Sequence, residues 1–357
     1  MPFSSYGHVF RITTFGESHG PGIGVVVDGV PSGLELTEAD VQKELDRRRP
    51  GQSLLTTQRK EEDKVEILSG VFEGLTTGAP LAMLIRNHDA DSSKYEKIKH
   101  LFRPAHADYT YHVKYHHRDW RGGGRSSGRE TACRVAAGAV AKKLLASRGM
   151  RVVAATVKVK DVVARQWIEE EIERNPARCP DPEVAAAMAT RITEARSQGD
   201  SVGGVIEGRV TGVPPGLGEP IYDKLDAMIA HGLFSIGTVR GVEFGNGFAC
   251  TDLHGSENND PMGKGGFLSN RCGGILGGLS NGMPIVFRAA IKSTASIAKW
   301  QKTMDVEGQP ADIRVEGRHD PCICPRAVPV VEAMAALTLM DALLMSPVQE
   351  FMPKSGA

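Results

Sequence analysis

Long apolar runs are missing from this chain. No stretch approaches the ~18 uninterrupted apolar residues that suggest a membrane-spanning helix, so no membrane partner is expected. The opening residues MPFSSYGHVFRITTFGESHG lack the layout of a signal peptide, which makes the cytoplasm the expected compartment. An excess of one charge is missing too. Lys and Arg number 43 and Asp and Glu number 43, so a basic patch must be local, and a general nucleic-acid binder is not expected. Cysteine is sparse: six residues (133, 179, 250, 272, 322, 324) are scattered, and reduced thiols are expected. The spacing of Cys322-Ile-Cys324 fits neither a CxxC redox motif nor a zinc knuckle. Nucleotide motifs fail as well. Pro261-Met-Gly-Lys-Gly265 lacks the hydroxyl residue of a P-loop, and Gly20-Pro-Gly-Ile-Gly24 is no GxGxxG. His112, His116 and His117 have no HExxH pattern or further ligand cluster, so a hydrogen-bonding surface is expected there and no metal.

What the chain has is glycine, 41 residues in short clusters, within 357 residues of ordinary globular composition. The densest segment is Arg121-Gly-Gly-Gly-Arg-Ser-Ser-Gly-Arg-Glu130, placed just before an alanine-rich helical stretch. Glycine lets backbone approach a ligand, arginine binds phosphate or carboxylate through paired hydrogen bonds, and a helix N-terminus favours an anion. A polyanion site and a flexible basic loop both remain open from this segment alone. Phe15-Gly-Glu-Ser-His-Gly20 offers either a general acid in His19 or a turn with a solvated histidine. Arg103-Pro-Ala-His-Ala-Asp-Tyr109 offers His106. Arg47-Arg-Arg-Pro-Gly51 closes a helix, where cations are favoured by the dipole, and one or two of its arginines could reach a cleft. Gly317-Arg-His-Asp-Pro-Cys322 joins Arg318, an imidazole and Asp320 ahead of an apolar helix.

The local pattern predicts strands at Val25 to Asp28, Val65 to Leu68, Ala82 to Arg86, Val152 to Val159, Gly204 to Val210 and Val286 to Ile291. It predicts helices from N-cap Thr37 to Arg48, Glu130 to Ser147, Pro182 to Gln198 and Ala327 to Met345, the last buried nearly all round. Two motifs recur in the same order. Gly29-Val-Pro-Ser-Gly-Leu34 returns as Gly212-Val-Pro-Pro-Gly-Leu217. Gly70-Val-Phe-Glu-Gly-Leu-Thr-Thr-Gly-Ala-Pro80 returns as Gly274-Ile-Leu-Gly-Gly-Leu-Ser-Asn-Gly-Met-Pro284. These matches predict one α+β domain over 1–357, built from two related halves (about 1–150 and 200–346), with a peripheral helical excursion at about 160–200. The Arg125 and Asp320 loops, one per half, would then face one shared cleft.

Gly16-Glu-Ser-His-Gly20 with Asp28-Gly-Val-Pro31, Arg103-Pro-Ala-His-Ala-Asp108, Gly124-Arg-Ser-Ser-Gly-Arg-Glu-Thr131 and Gly317-Arg-His-Asp-Pro321 together resemble the signatures of the chorismate synthase family. The resemblance continues through Ser269-Asn270, Gly273-Gly-Ile-Leu-Gly-Gly278 and Lys292-Ser-Thr-Ala-Ser296 and covers nearly the whole chain. It implies a pseudo-symmetric β-α-β sandwich with helices between two antiparallel sheets, assembled as a homotetramer. It implies an anti 1,4-elimination of phosphate from 5-enolpyruvylshikimate 3-phosphate (EPSP), giving chorismate and requiring reduced FMN without net redox change. By the same resemblance, His19 is the acid near the phosphate, His106 sits by the flavin, and Asp320 works with the flavin in taking the ring proton. Ser18 and Ser127 hydrogen-bond within that network. Flavin contacts carry over to Arg125, Ser126, Ser127, Gly237, Thr238, Gly277, Lys292, Ser293, Thr294, Ala295, Ser296 and Arg318, and substrate anions to Arg48, Arg129 and Arg134.

Three positions depart from the family pattern: Ser53-Leu54-Leu55 where relatives carry an arginine, Ser293 where proline is frequent, and Gly237 where asparagine is common. With no spare domain for flavin reduction, an external source of reduced flavin is expected. Two other classes stay open from the residues themselves, a phospho-ligand or RNA-binding protein and a metal-dependent phosphohydrolase.

Overall fold

The computed structural model describes residues 3–53, 55–57, 61–88, 93–317 and 319–346. The β-branched runs form two five-stranded antiparallel sheets. The first holds β1 (Ser5–Tyr6), β2 (Arg11–Gly16), β3 (Gly22–Asp28), β4 (Val65–Ser69) and β5 (Leu81–Arg86), in the spatial order β1-β2-β3-β5-β4. The second holds β6 (Arg151–Val159), β7 (Val162–Val163), β8 (Gly204–Thr211), β9 (Val239–Phe244) and β10 (Ile285–Ile291), in the order β9-β10-β8-β6-β7. Only one face of each sheet meets the core, so burial alternates: Leu81, Met83 and Ile85 point inward on β5, and Ile285, Phe287, Ala289 and Ile291 on β10.

Taken in sequence, β2, β3, β4 and β5 match β6, β8, β9 and β10, and both sets have the same spatial order. The match reaches individual atoms. The second repeated motif forms a small hairpin in each half, Val71–Phe72 with Leu75–Thr76 and Ile275–Leu276 with Leu279–Ser280. In the first half the Thr76 hydroxyl donates to the Pro31 carbonyl (2.6 Å) and accepts from the Leu34 amide (2.9 Å). In the second, the Ser280 hydroxyl donates to the Pro214 carbonyl (2.5 Å) and accepts from the Leu217 amide (2.9 Å). A buried hydroxyl thus ties the proline-glycine turn to its hairpin in each half and leaves neither backbone group unpaired.

Six helices of eight residues or more are described: α1 (Glu38–Arg48), α2 (Asp108–Tyr115), α3 (Thr131–Ala146), α4 (Pro182–Ser197), α5 (Leu225–Phe234) and α6 (Cys324–Met345). Helices α1 and α3 pack on the first sheet, α5 and α6 on the second, and α3 meets α6 between them. The helices therefore fill the space between the sheets. At Gly138 a Cβ would stand 2.4 Å from the Ala333 Cβ, so glycine permits the close crossing of α3 and α6. The start of α1 is set by Asp40, whose carboxylate accepts from the Thr37 amide and hydroxyl, both at 2.9 Å.

Helix α6 is long and apolar enough to cross a membrane by composition, but here it is the buried centre of the sandwich. It begins at Cys324, three residues before the sequence pattern suggested, because Pro325 suits a first helical turn. Pro329 lies inside it and has no N–H for the Pro325 carbonyl one turn back. That carbonyl instead accepts from Arg178, a buried guanidinium in the 160–200 segment. At its other end, Asp341 accepts the amides of His8, Val9 and Phe10 at 2.7–2.9 Å and fixes the chain entering β2.

Candidate active site

The loops after β2, before α2, before α3, after α5, after β10 and before α6 converge on one cleft of about 1130 Å³. Both halves contribute. Of the residues singled out from the sequence, His19, His106, Asp320, Ser127, Arg125, Ser126, Gly237, Thr238, Lys292, Thr294, Ala295, Ser296, Arg48, Arg129 and Arg134 line it. Three described ones do not stand on its wall. Ser18 is buried beneath His19, with its Oγ 3.0 Å from the His19 Nδ1. Ser293 does not line the cleft, and Gly277 turns the hairpin whose next residue, Gly278, accepts the Leu225 amide at the start of α5. Arg318 and Leu54 lie outside the described residues.

The glycine run passes between the two imidazoles. Gly122 and Gly123 have φ of +59° and +96°, and a Cβ on them would fall 2.1 Å from the His19 Cε1 and 2.9 Å from the His106 Cε1. Any other residue would be strained and would displace a ring. His19 also meets Tyr95 edge-on at 5.5 Å. Ser126 closes the loop by donating to the Gly123 carbonyl (2.7 Å), and the Ser127 hydroxyl accepts the Arg129 amide (3.3 Å).

His106 is the half-buried member of a triad whose other members, Arg103 and Asp108, are buried. Arg103 grips Asp108 through Nε (2.7 Å) and Nη2 (2.8 Å), and its Nη2 also reaches the His106 Nδ1 at 3.2 Å. Asp108 Oδ1 lies 3.4 Å from the same nitrogen. Burial pushes the His106 imidazole below its usual value; Asp108 opposes this and Arg103 adds to it. The ring is therefore neutral at pH 7. The Nδ1 stands between a donor, Arg103, and an acceptor, Asp108, so the tautomer sets which of the two it bonds. Asp108 is costly to bury, yet Arg103 and His106 hold it well below the usual carboxylate range.

The arginines differ in how many donors they have left. Arg125 reaches back to β2, donating to the Gly16 carbonyl (3.2 Å) and the Thr14 hydroxyl (2.7 Å). Every nitrogen of Arg129 is engaged, by Asn87, Asp63 and the Arg86 carbonyl. So is every nitrogen of Arg134, by Glu130 and Ser235. Arg48 donates through Nη1 to Asp63 at 2.8 Å, and among the described residues nothing accepts from its Nε or Nη2. Burial pushes Arg48 down to about 9 against the pull of Asp63, with Arg326 and Arg129 pushing the same way as burial, and it stays charged at neutral pH.

Four partners went unread in the sequence. Asp63 sits in the charged run Glu61-Glu-Asp-Lys64 and is 1% exposed, between Arg48 and Arg129. Arg326 follows Asp320 by six residues, placed by the first turn of α6 to donate to the Asp320 Oδ2 at 2.5 Å. Asp320 is held on its other oxygen by the Thr57 amide (2.8 Å). Arg103 and Asp108 flank His106 inside one quoted motif, and that spacing was the available signal.

The cleft suits a bulky anionic ligand. Its volume exceeds the need of a small substrate alone. Lys292, which burial and Arg240 hold below its usual value, donates to the Ala105 carbonyl (2.8 Å) and joins the end of β10 to the His106 loop. The Thr294 Oγ1 beside it is buried without a partner, although the Thr294 carbonyl accepts from Ser201 (2.7 Å). Among the described residues no group of three or more His, Cys, Asp or Glu is placed to hold a metal ion.

Comparison with known proteins agrees across the chain. The family model described as chorismate synthase matches residues 10–344. The chain is 57% identical over 349 residues to the chorismate synthase of Chloroflexus aurantiacus, covering 96% of each. It is 58% identical over 353 residues to that of Methanocella arvoryzae, covering 96% of this chain and 95% of the relative. A solved structure titled "Crystal Structure of Chorismate Synthase" superposes with a TM-score of 0.76 at 34% identity, over 95% of this chain and 92% of that one. An imidazole pair about a glycine loop, in a sandwich of matching halves that aligns end to end with these proteins, places the chain in the chorismate synthase family.

Proposed function

We propose that the chain catalyses anti 1,4-elimination of phosphate from EPSP to give chorismate, the last common step towards the aromatic amino acids, with reduced FMN as its cofactor. The observation that carries this reading is the convergence of His19, His106 and Asp320 in one cleft with arginines from both halves.

The cleft fits FMN by its volume, by the glycine loop that a Cβ would fill, and by the orphaned Thr294 hydroxyl. Arg125, Ser126, Ser127, Thr238, Lys292, Thr294, Ala295 and Ser296 would hold it. Reduced FMN, when bound, supplies transient electron density that helps the C–O bond break and then recovers it. The protein's own groups do the rest. The reaction breaks a ring C–H bond, forms a new C=C bond with that electron pair, and releases the C–O pair with phosphate, so no net oxidation results. His19, oriented by Ser18, gives a proton to the leaving phosphate. His106, kept neutral by burial, presents an N–H as donor. Asp320, aimed by Arg326 and the Thr57 amide, accepts the ring proton. Arg48 offers open donors to an anionic group, and developing charge on the phosphate is met by preorganised cations.

The test is anaerobic turnover with EPSP and reduced FMN, where chorismate and inorganic phosphate should appear in equal amounts. No product under these conditions would refute the reading. NADPH with oxidised FMN should give no turnover unless a reductase or dithionite is added. His19→Ala and His106→Ala should each lower kcat by roughly a hundredfold or more while changing substrate binding little. Near-normal turnover in both would remove the roles assigned to them. Assembly as a homotetramer is part of the proposal and is checked by light scattering.

A further inference from the structure

Arg326 has no part in the sequence reading, yet it stands where the cleft's charge is least balanced. Around Arg48 lie three guanidiniums, of Arg48, Arg129 and Arg326, and two carboxylates, of Asp63 and Asp320. Asp63 faces Arg48 with one oxygen and Arg129 with the other. Asp320 is bound by Arg326. Among the described residues of this cluster one positive charge is left over, in a setting largely shielded from water, an arrangement that favours an incoming anion.

Donor counting shows where that anion would sit. Arg326 donates through Nε to the Arg48 carbonyl (3.2 Å) and through Nη1 to Asp320. Among the described residues nothing accepts from its Nη2. Its side chain is 11% exposed, and that exposed part faces the cleft. Arg48, whose carbonyl it holds, also has donors without acceptors. The other two arginine candidates, Arg129 and Arg134, have every nitrogen engaged inside the protein.

We infer that Arg326 binds an anionic group of the substrate together with Arg48 and, through its bond to Asp320, positions the proton acceptor. One guanidinium then measures the distance between the bound anion and the base. This inference rests on the reaction proposed above and adds a residue and a coupling to it. Binding an anion on Nη2 leaves the Nη1 bond to Asp320 in place, so a correctly seated substrate finds the carboxylate already aimed.

The experiment compares Arg326→Gln and Arg326→Lys with the unaltered protein in two assays. The first uses no turnover: inorganic phosphate is titrated while the thermal midpoint is followed. The unaltered protein should be stabilised by phosphate, and Arg326→Gln should need roughly ten to a hundred times more phosphate for the same shift. The second is steady-state kinetics. Arg326→Gln should raise KM for EPSP and also lower kcat, whereas Arg326→Lys should recover most of the KM but not the kcat. A lysine supplies charge but cannot span the Arg48 carbonyl, Asp320 and a ligand at once. Arg326→Gln with phosphate response, KM and kcat all within twofold of normal overturns the proposal. Loss of kcat with an unchanged phosphate response and KM also overturns it, because the arginine would then serve Asp320 alone. If Arg326→Gln does not fold, Arg326→Lys decides alone, by whether KM and kcat separate. If the unaltered protein shows no turnover, the proposed reaction fails, while the phosphate titration still tests the arginine.

Discussion

Arg47 and Arg48 are neighbours at the end of α1, and they enter opposite kinds of surroundings. Arg47 points into the sandwich, where Glu332 grips it at 2.5 and 3.0 Å and Glu44 and Glu173 complete its shell. Lys142 shares Glu44 and Glu332, Arg178 shares Glu173, and the Ala154 amide takes a remaining site on Glu332. Three cations meet three carboxylates, and the set is closed. Arg48 points the other way, towards two further cations, Arg129 and Arg326, and two carboxylates, Asp63 and Asp320, among the described residues. The shifts follow the surroundings. Burial works against Arg47, yet Glu332, Glu44 and Glu173 hold it above the usual arginine range, while Arg48 is pushed down to about 9. Glu332 resists its own burial and is drawn down to about 2 by Lys142 and Arg47. The first cluster is balanced within the protein; the second is where the proposed anion would bind.

The largest expected effect comes from opening the closed cluster. Glu332→Gln leaves Arg47 and Lys142 buried against a neutral amide and should cost about 3–5 kcal/mol in a urea unfolding experiment. A loss below about 1 kcal/mol would remove the distinction between the two clusters. Next come the paired lysine substitutions. Arg48→Lys should reduce kcat/KM by roughly ten- to a hundredfold with little change in the unfolding midpoint. Arg47→Lys should do the reverse, costing about 1–2 kcal/mol of stability and leaving kcat/KM within about twofold. If the two exchange behaviours, the assignment of structural and functional arginines is wrong.

Acid should separate the regions by pH. His106 has a lowered value in the fold, so the native state resists protonation and stability begins to fall once the pH drops below the ordinary histidine value of about 6.5. Glu332 is lowered from 4.5 to about 2, so its contribution is complete above 4.5 and is lost as the pH falls from there towards 2. That contribution is on the order of 3 kcal/mol. Unfolding free energy measured against pH should therefore fall in two stages, and Glu332→Gln should flatten the lower one. The smallest effect is expected for Arg134→Lys. Its partners Glu130 and Ser235 are internal, so kcat/KM should stay within about threefold. A loss of a hundredfold would place substrate on Arg134.

Much of the sandwich could be read in advance because its signals are local. The β-branched strands, the α1 cap at Thr37 and the alanine-rich α3 depend on neighbours within a few residues. The repeated Gly-Val-Pro motifs, although 183 positions apart, were visible because each copy is short and contiguous. The site was legible in its loops but not in its pairings. Arg129 and Arg134 were expected to meet substrate anions, and a sequence does not show that Asp63, Asn87, Glu130 and Ser235 already engage their nitrogens. Asp63 was not singled out, because its partners Arg48 and Arg129 are separated from it in the chain. Arg178 read as part of a peripheral excursion, and its use became evident only beside the carbonyl that Pro329 leaves open.

That last arrangement makes the central helix a non-local object. An ordinary helix closes its first turns with its own backbone, but here one link is supplied by a side chain 147 positions earlier. The turn concerned carries Arg326 and directly follows Asp320. A chain in which the 160–200 segment has not docked therefore lacks one of the bonds that seat Arg326 and Asp320.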